Sequence, residues 1–291
     1  MKVLSLFDGI SCGRVALERL NIKVDKYVAY EIDSKAIEVS KNNFNDIIHM
    51  GDVFNADFKG EYYDILLGGS PCTHWSIARG GNNRETKASG IGWELFKQFV
   101  RALKEVKPKY FLYENNYSMS DNIKEQITKE LGVQPIMIDS GDFSAQLRKR
   151  YYWTNIQVDL NYKKCDSILD DIIYKHDYNI KSFDKYSSTV KWNKDRTICK
   201  WDTSGRGNYS QQNRARVTSI KSNTLPSSGS DKNNIYMGGY NYRNIHPIEA
   251  ERLQTLDDNY TSCIKSINKR IELVGNGWTI EVIKYILSFI K

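Results

Sequence analysis

Gly68-Gly69-Ser70-Pro71-Cys72-Thr73-His74-Trp75-Ser76 follows directly on the apolar run Asp64-Ile65-Leu66-Leu67. The run reads as a buried strand, and the glycines and proline behind it read as a turn at the strand's end. Pro71 fixes φ and removes a donor, which presets the direction of the Cys72 side chain. A Pro-Cys pair alone is more often a turn with a buried thiol than a nucleophile. The apolar run Tyr110-Phe111-Leu112-Tyr113 ends in Glu114-Asn115. Strands of a parallel sheet end side by side at its carboxyl edge, so the thiol and the carboxylate are expected to face one pocket.

Strand and helix patterns alternate from residue 1 to about 160. They predict strands at Val3–Phe7, Tyr27–Ile32, Ile47–Met50, Asp64–Leu67, Tyr110–Tyr113, Ile136–Ile138 and Tyr151–Thr154. Helices are expected at Cys12–Leu20, at Ser34–Phe44 with Ser34 as N-cap, at Trp93–Val106 and at Asn122–Leu131. This alternation predicts an α/β fold, a mostly parallel sheet with helices on both faces. Periodicity weakens from residue 161 to 242, where a small irregular domain is expected. Helix patterns return at Pro247–Leu256 and Thr279–Ile290. The expected organisation is a catalytic and cofactor-binding domain at 1–160, a separate region at 161–242, and a segment at 243–291 that completes the first domain.

The 291 residues carry a formal charge of +7, which suits a polyanionic partner without proving one. Cys12, Cys72, Cys165, Cys199 and Cys263 form no Cys-x-x-Cys pair, which disfavours a zinc site or a disulfide framework and fits a reducing compartment. No run reaches membrane-spanning length, and Met1–Phe7 is too short for a signal peptide. A soluble, cytoplasmic protein is expected. Between Lys181 and Lys221 the cations Lys191, Lys194, Arg196, Lys200, Arg206, Arg214 and Arg216 alternate with Phe183, Tyr186, Trp192, Trp201 and Tyr209. Phosphate contact with base stacking and a solvated irregular surface explain that mixture equally well.

The turn Phe7-Asp8-Gly9-Ile10-Ser11-Cys12-Gly13 lies between the first strand and helix, and its glycines let backbone approach a ligand. It lacks the Gly-x-Gly-x-x-Gly spacing of nicotinamide sites. Glu31 falls where a ribose-binding acid belongs, about twenty residues on, and Asp52 is placed to accept from an adenine amino group. Together these suggest an adenosine-type cofactor; a solvated loop acid is the alternative for either carboxylate.

In order and nearly end to end, these motifs resemble the cytosine-5 DNA methyltransferases. Phe7–Gly13 resembles their first S-adenosylmethionine motif, Pro71-Cys72 with Ser76 the nucleophile motif, and Glu114-Asn115 the Glu-Asn-Val motif. Gln146-Leu147-Arg148-Lys149-Arg150 is similar to Gln-x-Arg-x-Arg, and Pro247–Gln254 to the helix supporting the target-recognition region. Gly275-Asn276-Gly277-Trp278 resembles the last motif. The wording is most similar to the animal de novo enzymes, and the compact length to phage and bacterial ones. The chain departs from the pattern at Asn116, where the family has Val, at Thr255-Leu256-Asp257, where it has Gly-Phe-Pro, and at Trp278, where a small apolar residue is commoner.

The resemblance implies a Rossmann-like methyltransferase fold with a target-recognition domain at 161–242. It implies methylation of carbon 5 of cytosine in double-stranded DNA, with S-adenosylmethionine as cofactor and S-adenosylhomocysteine as product. Implied cofactor residues are Phe7, Asp8, Gly9, Ile10, Ser11, Cys12, Glu31, Ile32, Asp52, Val53, Pro71, Leu95, Asn276, Gly277 and Trp278. Implied catalytic residues are Cys72, Glu114, Arg148 and Arg150, with no metal and a monomer as the expected state. A restriction endonuclease partner and association with the nucleoid are compatible with it. The chemistry is coherent by itself. A thiolate added to carbon 6 makes carbon 5 nucleophilic, and Glu114 at ring nitrogen 3 stabilises the adduct. Arg148 and Arg150 suit the base carbonyl and Glu114; a phosphate clamp or a salt bridge is the alternative for each. The base must leave the duplex, and the loop Ile77–Gly92, with Gly80, Gly81, Gly90, Gly92, Arg79, Arg84 and Lys87, suits closure over it and contact with phosphates. The same chemistry on tRNA is disfavoured because the Cys-Phe-Thr tripeptide of the tRNA-methylating relatives is missing. A silent DNA-binding relative would have no chemical reason to keep the four catalytic residues.

Overall fold

The computed structural model describes residues 1–76, 84–207, 213–225 and 233–291, excepting the side chain of Cys72. Arg79, Gly80, Gly81 and Tyr209 lie outside the described residues. The chain divides into two compact units. The first comprises Met1–Asp139, Lys149–Tyr162 and Val282–Lys291; the second comprises Ser140–Arg148 and Lys163–Glu281. Residues 140–148 and 243–281 thus group with the second unit.

In the first unit, β1 (Lys2–Leu6), β2 (Lys26–Tyr30), β3 (Ile47–His49), β4 (Ile65–Gly68), β5 (Tyr110–Asn116), β6 (Ile136–Asp139) and β7 (Lys149–Thr154) form one sheet. Its order is β3-β2-β1-β4-β5-β7-β6, parallel except around β7, which runs antiparallel to both neighbours. Val3, Leu4, Leu6, Ile65, Leu66 and Leu67 are all buried, as a sheet covered on both faces requires. The helices of this unit are α1 (Cys12–Arg19), α2 (Ser34–Asn43), α3 (Ile91–Val106) and α4 (Asp121–Leu131). Asp33, not Ser34, caps α2: its carboxylate accepts from the Lys35 N–H at 2.9 Å. β5 also outruns its apolar stretch, because β7 pairs with it as far as Asn116.

Helix α3 buries Trp93, Phe96, Phe99 and Val100, a stripe at helical spacing. Each such side chain contributes about 1.5–3 kcal/mol relative to exposure. Phe99 packs edge-on against Phe111 and at 4.9 Å from Tyr113, so the helix is keyed to β5. Both chain ends are tied to this unit. The Met1 ammonium donates to the Lys23 carbonyl at 2.8 Å, and the Lys291 carbonyl accepts from Tyr110 Oη at 2.6 Å.

The second unit is better ordered than its composition predicts. β8 (Lys181–Ser182), β9 (Lys191–Trp192), β10 (Ile198–Lys200), β11 (Arg214–Arg216), β12 (Asn234–Gly238) and β13 (Asn241–Asn244) form a sheet in the order β8-β13-β12-β11-β10-β9. Strands of two to five residues are too short to show a period, which is why the region reads as irregular. A small core of Phe183, Cys199, Trp201 and Ala215 holds them, with Phe183 and Trp201 stacked at 4.5 Å. Burial pushes the Cys199 thiol up to about 11, so it is inert packing.

Three helices follow: α5 (Pro247–Leu253), α6 (Ile267–Asn276) and α7 (Ile280–Leu287). Pro247 at the first turn and the Glu249 carboxylate on the His246 N–H start α5. Glu249 is fully buried and takes a two-pronged bond from Arg243, at 2.8 and 2.7 Å.

Gly68 ends β4 beneath α3. A Cβ there would lie 2.7 Å from the Phe99 ring and 3.1 Å from the Leu6 carbonyl oxygen. Gly68→Ala is therefore expected to cost roughly 1–3 kcal/mol by overpacking, read as a lower urea midpoint with unchanged slope. An unchanged midpoint would show that the ring yields freely.

Candidate active site

The first unit gathers its chemistry at the carboxyl edge of the sheet. After β1 the chain turns through Phe7, Gly9 and Ser11 at φ 57°, 59° and 61°. Left-handed backbone at Phe7 and Ser11 costs of order 1 kcal/mol each and persists only where the surroundings enforce it. Two carboxylates do so. Asp8 accepts from the hydroxyls of Ser5 and Ser11 at 2.5 Å and of Tyr27 at 2.7 Å. Glu31 accepts from the N–H groups of Gly9, Ile32 and Asp33, each at 2.8 Å. Burial raises the Asp8 pKa above its ordinary value against the pull of its hydroxyl donors, and the charge of Glu31 raises it further.

Ile10, Ser11 and Cys12 are buried and the Asp8 carboxylate is taken up by its hydroxyl donors, so the partly exposed Phe7 and Gly9 form the face this turn offers. At the neighbouring strand end Ile32 is 76% exposed, a large apolar side chain with no core to fill. Past β3, Val53 is buried while Asp52 is exposed; one Asp52 oxygen caps the next turn by accepting from the Phe54 N–H at 2.9 Å. The edge is thus acidic and partly apolar, which fits a cationic adenosine cofactor better than a pyrophosphate. Leu95, on α3, is half-buried and Pro71 is exposed.

The backbone of Cys72 opens a short 3-10 turn, Cys72–His74; its side chain lies outside the described residues. What precedes it is tightly held. Ser70 Oγ and Tyr113 Oη bond at 2.6 Å, and burial pushes the Tyr113 hydroxyl's pKa well up. Asn115 Nδ2 donates to the Ser70 carbonyl at 3.0 Å and to Tyr113 Oη at 3.2 Å. Gly68 pairs with Tyr113 in the sheet, so the strand bearing Glu114 adjoins the strand leading to Cys72.

Glu114 lies inside β5, opposite Tyr152, and is 8% exposed. Its carboxylate meets Arg150 Nε at 2.9 Å, a diagonal pair across β5 and β7. The Asn116 N–H donates to Asn115 Oδ1 at 2.9 Å, and Asn116 Nδ2 donates to Ser118 Oγ at 2.8 Å. In the second unit, Arg148 is buried and donates to the carbonyls of Gly275 and Gly277, both at 3.0 Å. It thereby holds the backbone of Asn276, which is exposed, and Trp278 follows half-buried.

The loop after Cys72 differs from expectation in its described part. Arg84 is tied inward, donating to the carbonyls of Trp75 and Ser118. Glu85 accepts from Trp75 Nε1 at 3.2 Å and meets His74 Nδ1 at 3.3 Å. A Cβ on Gly90 or Gly92 would lie 2.6 Å from Glu85 Oε1 or Trp75 Nε1, so both positions leave room for that cluster. Lys221 is likewise withdrawn from the set of phosphate-seeking cations, since its ammonium donates to the carbonyls of Ser144, Cys165 and Ser167.

A mostly parallel sheet with acids at three strand ends, and a buried acid in the strand beside a Pro-Cys turn, defines an α/β protein whose candidate site lies at the sheet's carboxyl edge. The whole chain, residues 1–291, matches the family described as C-5 cytosine-specific DNA methylase, and it belongs to that family. Type II methyltransferase M.FnuDI of Fusobacterium nucleatum is 27% identical over 342 aligned positions, covering 100% of this chain and 94% of that protein. Orphan methyltransferase M.SPRI of Bacillus phage SPR is 30% identical over 212 residues, 66% of this chain and 46% of that protein, so the chain spans less than half of that relative's length. The solved structure of S. pombe Dnmt2 methyltransferase shares the fold, with a TM-score of 0.67 at 16% identity over 99% of this chain and 97% of that one.

The bracing contacts of Ser70 with Tyr113 and of His74 with Glu85 were not legible in the sequence, because nothing in either residue's local context names its partner. Asn115→Ala removes the amide that fixes the turn before Cys72. A misplacement of about 1 Å costs of order 10²-fold in rate, so methyl transfer is expected to fall by about that factor with the fold retained. Steady-state assays with circular dichroism check it; near-normal turnover would remove Asn115 from the positioning of the turn.

Proposed function

We propose that the chain transfers the methyl group of S-adenosylmethionine to carbon 5 of cytosine in double-stranded DNA, through a covalent adduct of Cys72 with a flipped-out base. The observation that carries this reading is the Glu114–Arg150 pair, 2.9 Å apart in a strand adjoining the one that leads to Cys72. A carboxyl buried beside a guanidinium and next to a stiff cysteine turn suits the Watson–Crick edge of one unstacked base.

The Cys72 thiolate bonds to carbon 6, and the electron pair displaced from the 5,6 double bond makes carbon 5 nucleophilic. Glu114 holds the edge at ring nitrogen 3 and shares its proton, while Arg150 fixes the carboxyl's position. S-adenosylmethionine supplies the electrophilic methyl group. Loss of the carbon 5 proton to a base returns the electron pair to the ring and expels the Cys72 thiolate. Asp8 and Glu31 shape the turn that faces the cofactor, Ile32 offers an apolar face to its adenine, and Asp52 offers its uncommitted oxygen to the adenine amino group. Arg148 acts through the backbone of 275–277, as a positioning residue. The second unit, with its cation-bearing strands, serves as the recognition region.

Cys72→Ser should abolish methyl transfer while leaving cofactor binding nearly intact. A duplex with cytosine fluorinated at carbon 5 should trap the wild-type chain covalently, because fluorine cannot leave as a proton does. Mass spectrometry of the trapped peptide should find Cys72; a near-normal rate in Cys72→Ser would sink the mechanism. Asp52→Asn keeps an oxygen for the Phe54 N–H and exchanges the charged acceptor for an amide. Calorimetry should show cofactor affinity about tenfold weaker, the worth of one charge-assisted hydrogen bond. Unchanged affinity would remove Asp52 from the site.

A further inference from the structure

We propose that the second unit carries a phosphate-binding pocket centred on Arg216, and that its ligand is a phosphodiester group of the DNA strand. The proposal rests on the reading of the chain as a DNA methyltransferase and names one contact of its recognition region. Strands β10, β11 and β12 contribute to a cavity of about 80 Å³. Its polar lining includes Lys200, Arg214, Arg216, Ser222, Asn223 and Asn233. No Asp or Glu lines it among the described residues. A single water needs roughly 10–15 Å³, so the space suits several waters or one tetrahedral anion and is too small for a base pair.

The strand pattern explains the convergence of charge. Ala215 is fully buried in the core with Phe183 and Trp201, so alternation sends Arg214 and Arg216 to the opposite face of β11. The antiparallel register sets Lys200 directly across from Arg214. Three cations thus line one small cavity.

Hydrogen bonding shows what this cavity lacks. Arg216 Nε and Asn233 Nδ2 are buried donors without a partner. Asn223 Oδ1 is also unpartnered, and a half-turn of that amide would present its NH₂ instead. Each unmet buried group costs about 1–3 kcal/mol, which an arriving acceptor would recover. Burial, and then the charge of Arg214, push the Arg216 pKa below its ordinary value, so the crowding of cations is itself unfavourable. An anion relieves both penalties. A phosphate group offers several acceptor oxygens at the spacing of a guanidinium fork. A base edge would satisfy the amides and do less for the Arg216 guanidinium, whose Nε lacks an acceptor.

The test uses the full chain and follows binding of a labelled duplex across a salt series. Arg216→Gln should weaken binding to every duplex by the same factor and lower the salt slope by about one unit. Lys200→Gln, at a half-buried position, should do the same, and decides the matter if Arg216→Gln fails to fold. Site preference in methylated product should stay unchanged. A changed preference with an unchanged salt slope would make the pocket a reader of base edges and overturn the proposal. Unchanged affinity and slope in both variants would overturn it too. Phosphorus NMR of inorganic phosphate with the DNA-free chain separates the sources: binding lost in Arg216→Gln while the DNA salt slope stays intact would identify a free-anion site and overturn the DNA assignment. A wild-type chain that binds no duplex would sink the methyltransferase reading, and the phosphate titration would still decide whether the pocket takes an anion.

Discussion

Strand β5 is hydrogen-bonded along both edges, parallel to β4 and antiparallel to β7. The rest of the first unit's chemistry depends on that double pairing. A carboxylate at a free strand end would be solvated and mobile. Inside a doubly paired strand, Glu114 has a fixed backbone, an 8% exposed side chain and one guanidinium within reach. The same pairing brings Tyr113 and Asn115 beside Ser70, which converts a flexible Ser-Pro-Cys turn into a braced one. Breaking one partner of a buried ion pair typically costs 3–5 kcal/mol, so the geometry is also self-protecting.

Charged side chains fasten the backbone in both units. At the sheet edge of the first unit, carboxylates fix the backbone: Glu31 alone holds three N–H groups. In the second, cations do much of the internal fastening. Arg148 holds two carbonyls, Lys221 three, and Arg243 a buried carboxylate. Several of the cations that contribute to the formal charge of +7 are therefore committed to internal partners and not presented at the surface. Lys200, Arg214 and Arg216 differ by lining a cavity.

The α/β architecture was legible because buried parallel strands are uninterrupted apolar runs and the turns between them carry glycine or proline. Where the reading slipped, a distant partner decided. Ser34 is a good cap by composition, but Asp33 occupies the extended conformation that a cap needs. Glu114 and Asn115 look like a strand end until β7 supplies a second edge. The region from 161 to 242 hides its sheet because two- and three-residue strands have no period to detect. Asn223 and Asn233 give no signal at all, since nothing in their sequence context separates an orphaned amide from a solvated one.

The tethering of both chain ends has a practical side. The register aligns Val3 with Ile65 and Ile65 with Tyr110, so the starts of β1, β4 and β5 share the amino edge of the sheet. Met1 is anchored beside the first of these and Lys291 beside the last. Any partner fused to either terminus would depart from that edge, opposite the strand ends bearing Gly9, Glu31 and the Cys72 turn. A segment attached at Met1 or Lys291 would thus leave the candidate site's edge of the sheet uncrowded, and a linker joining these two residues would have only the width of three neighbouring strands to cross.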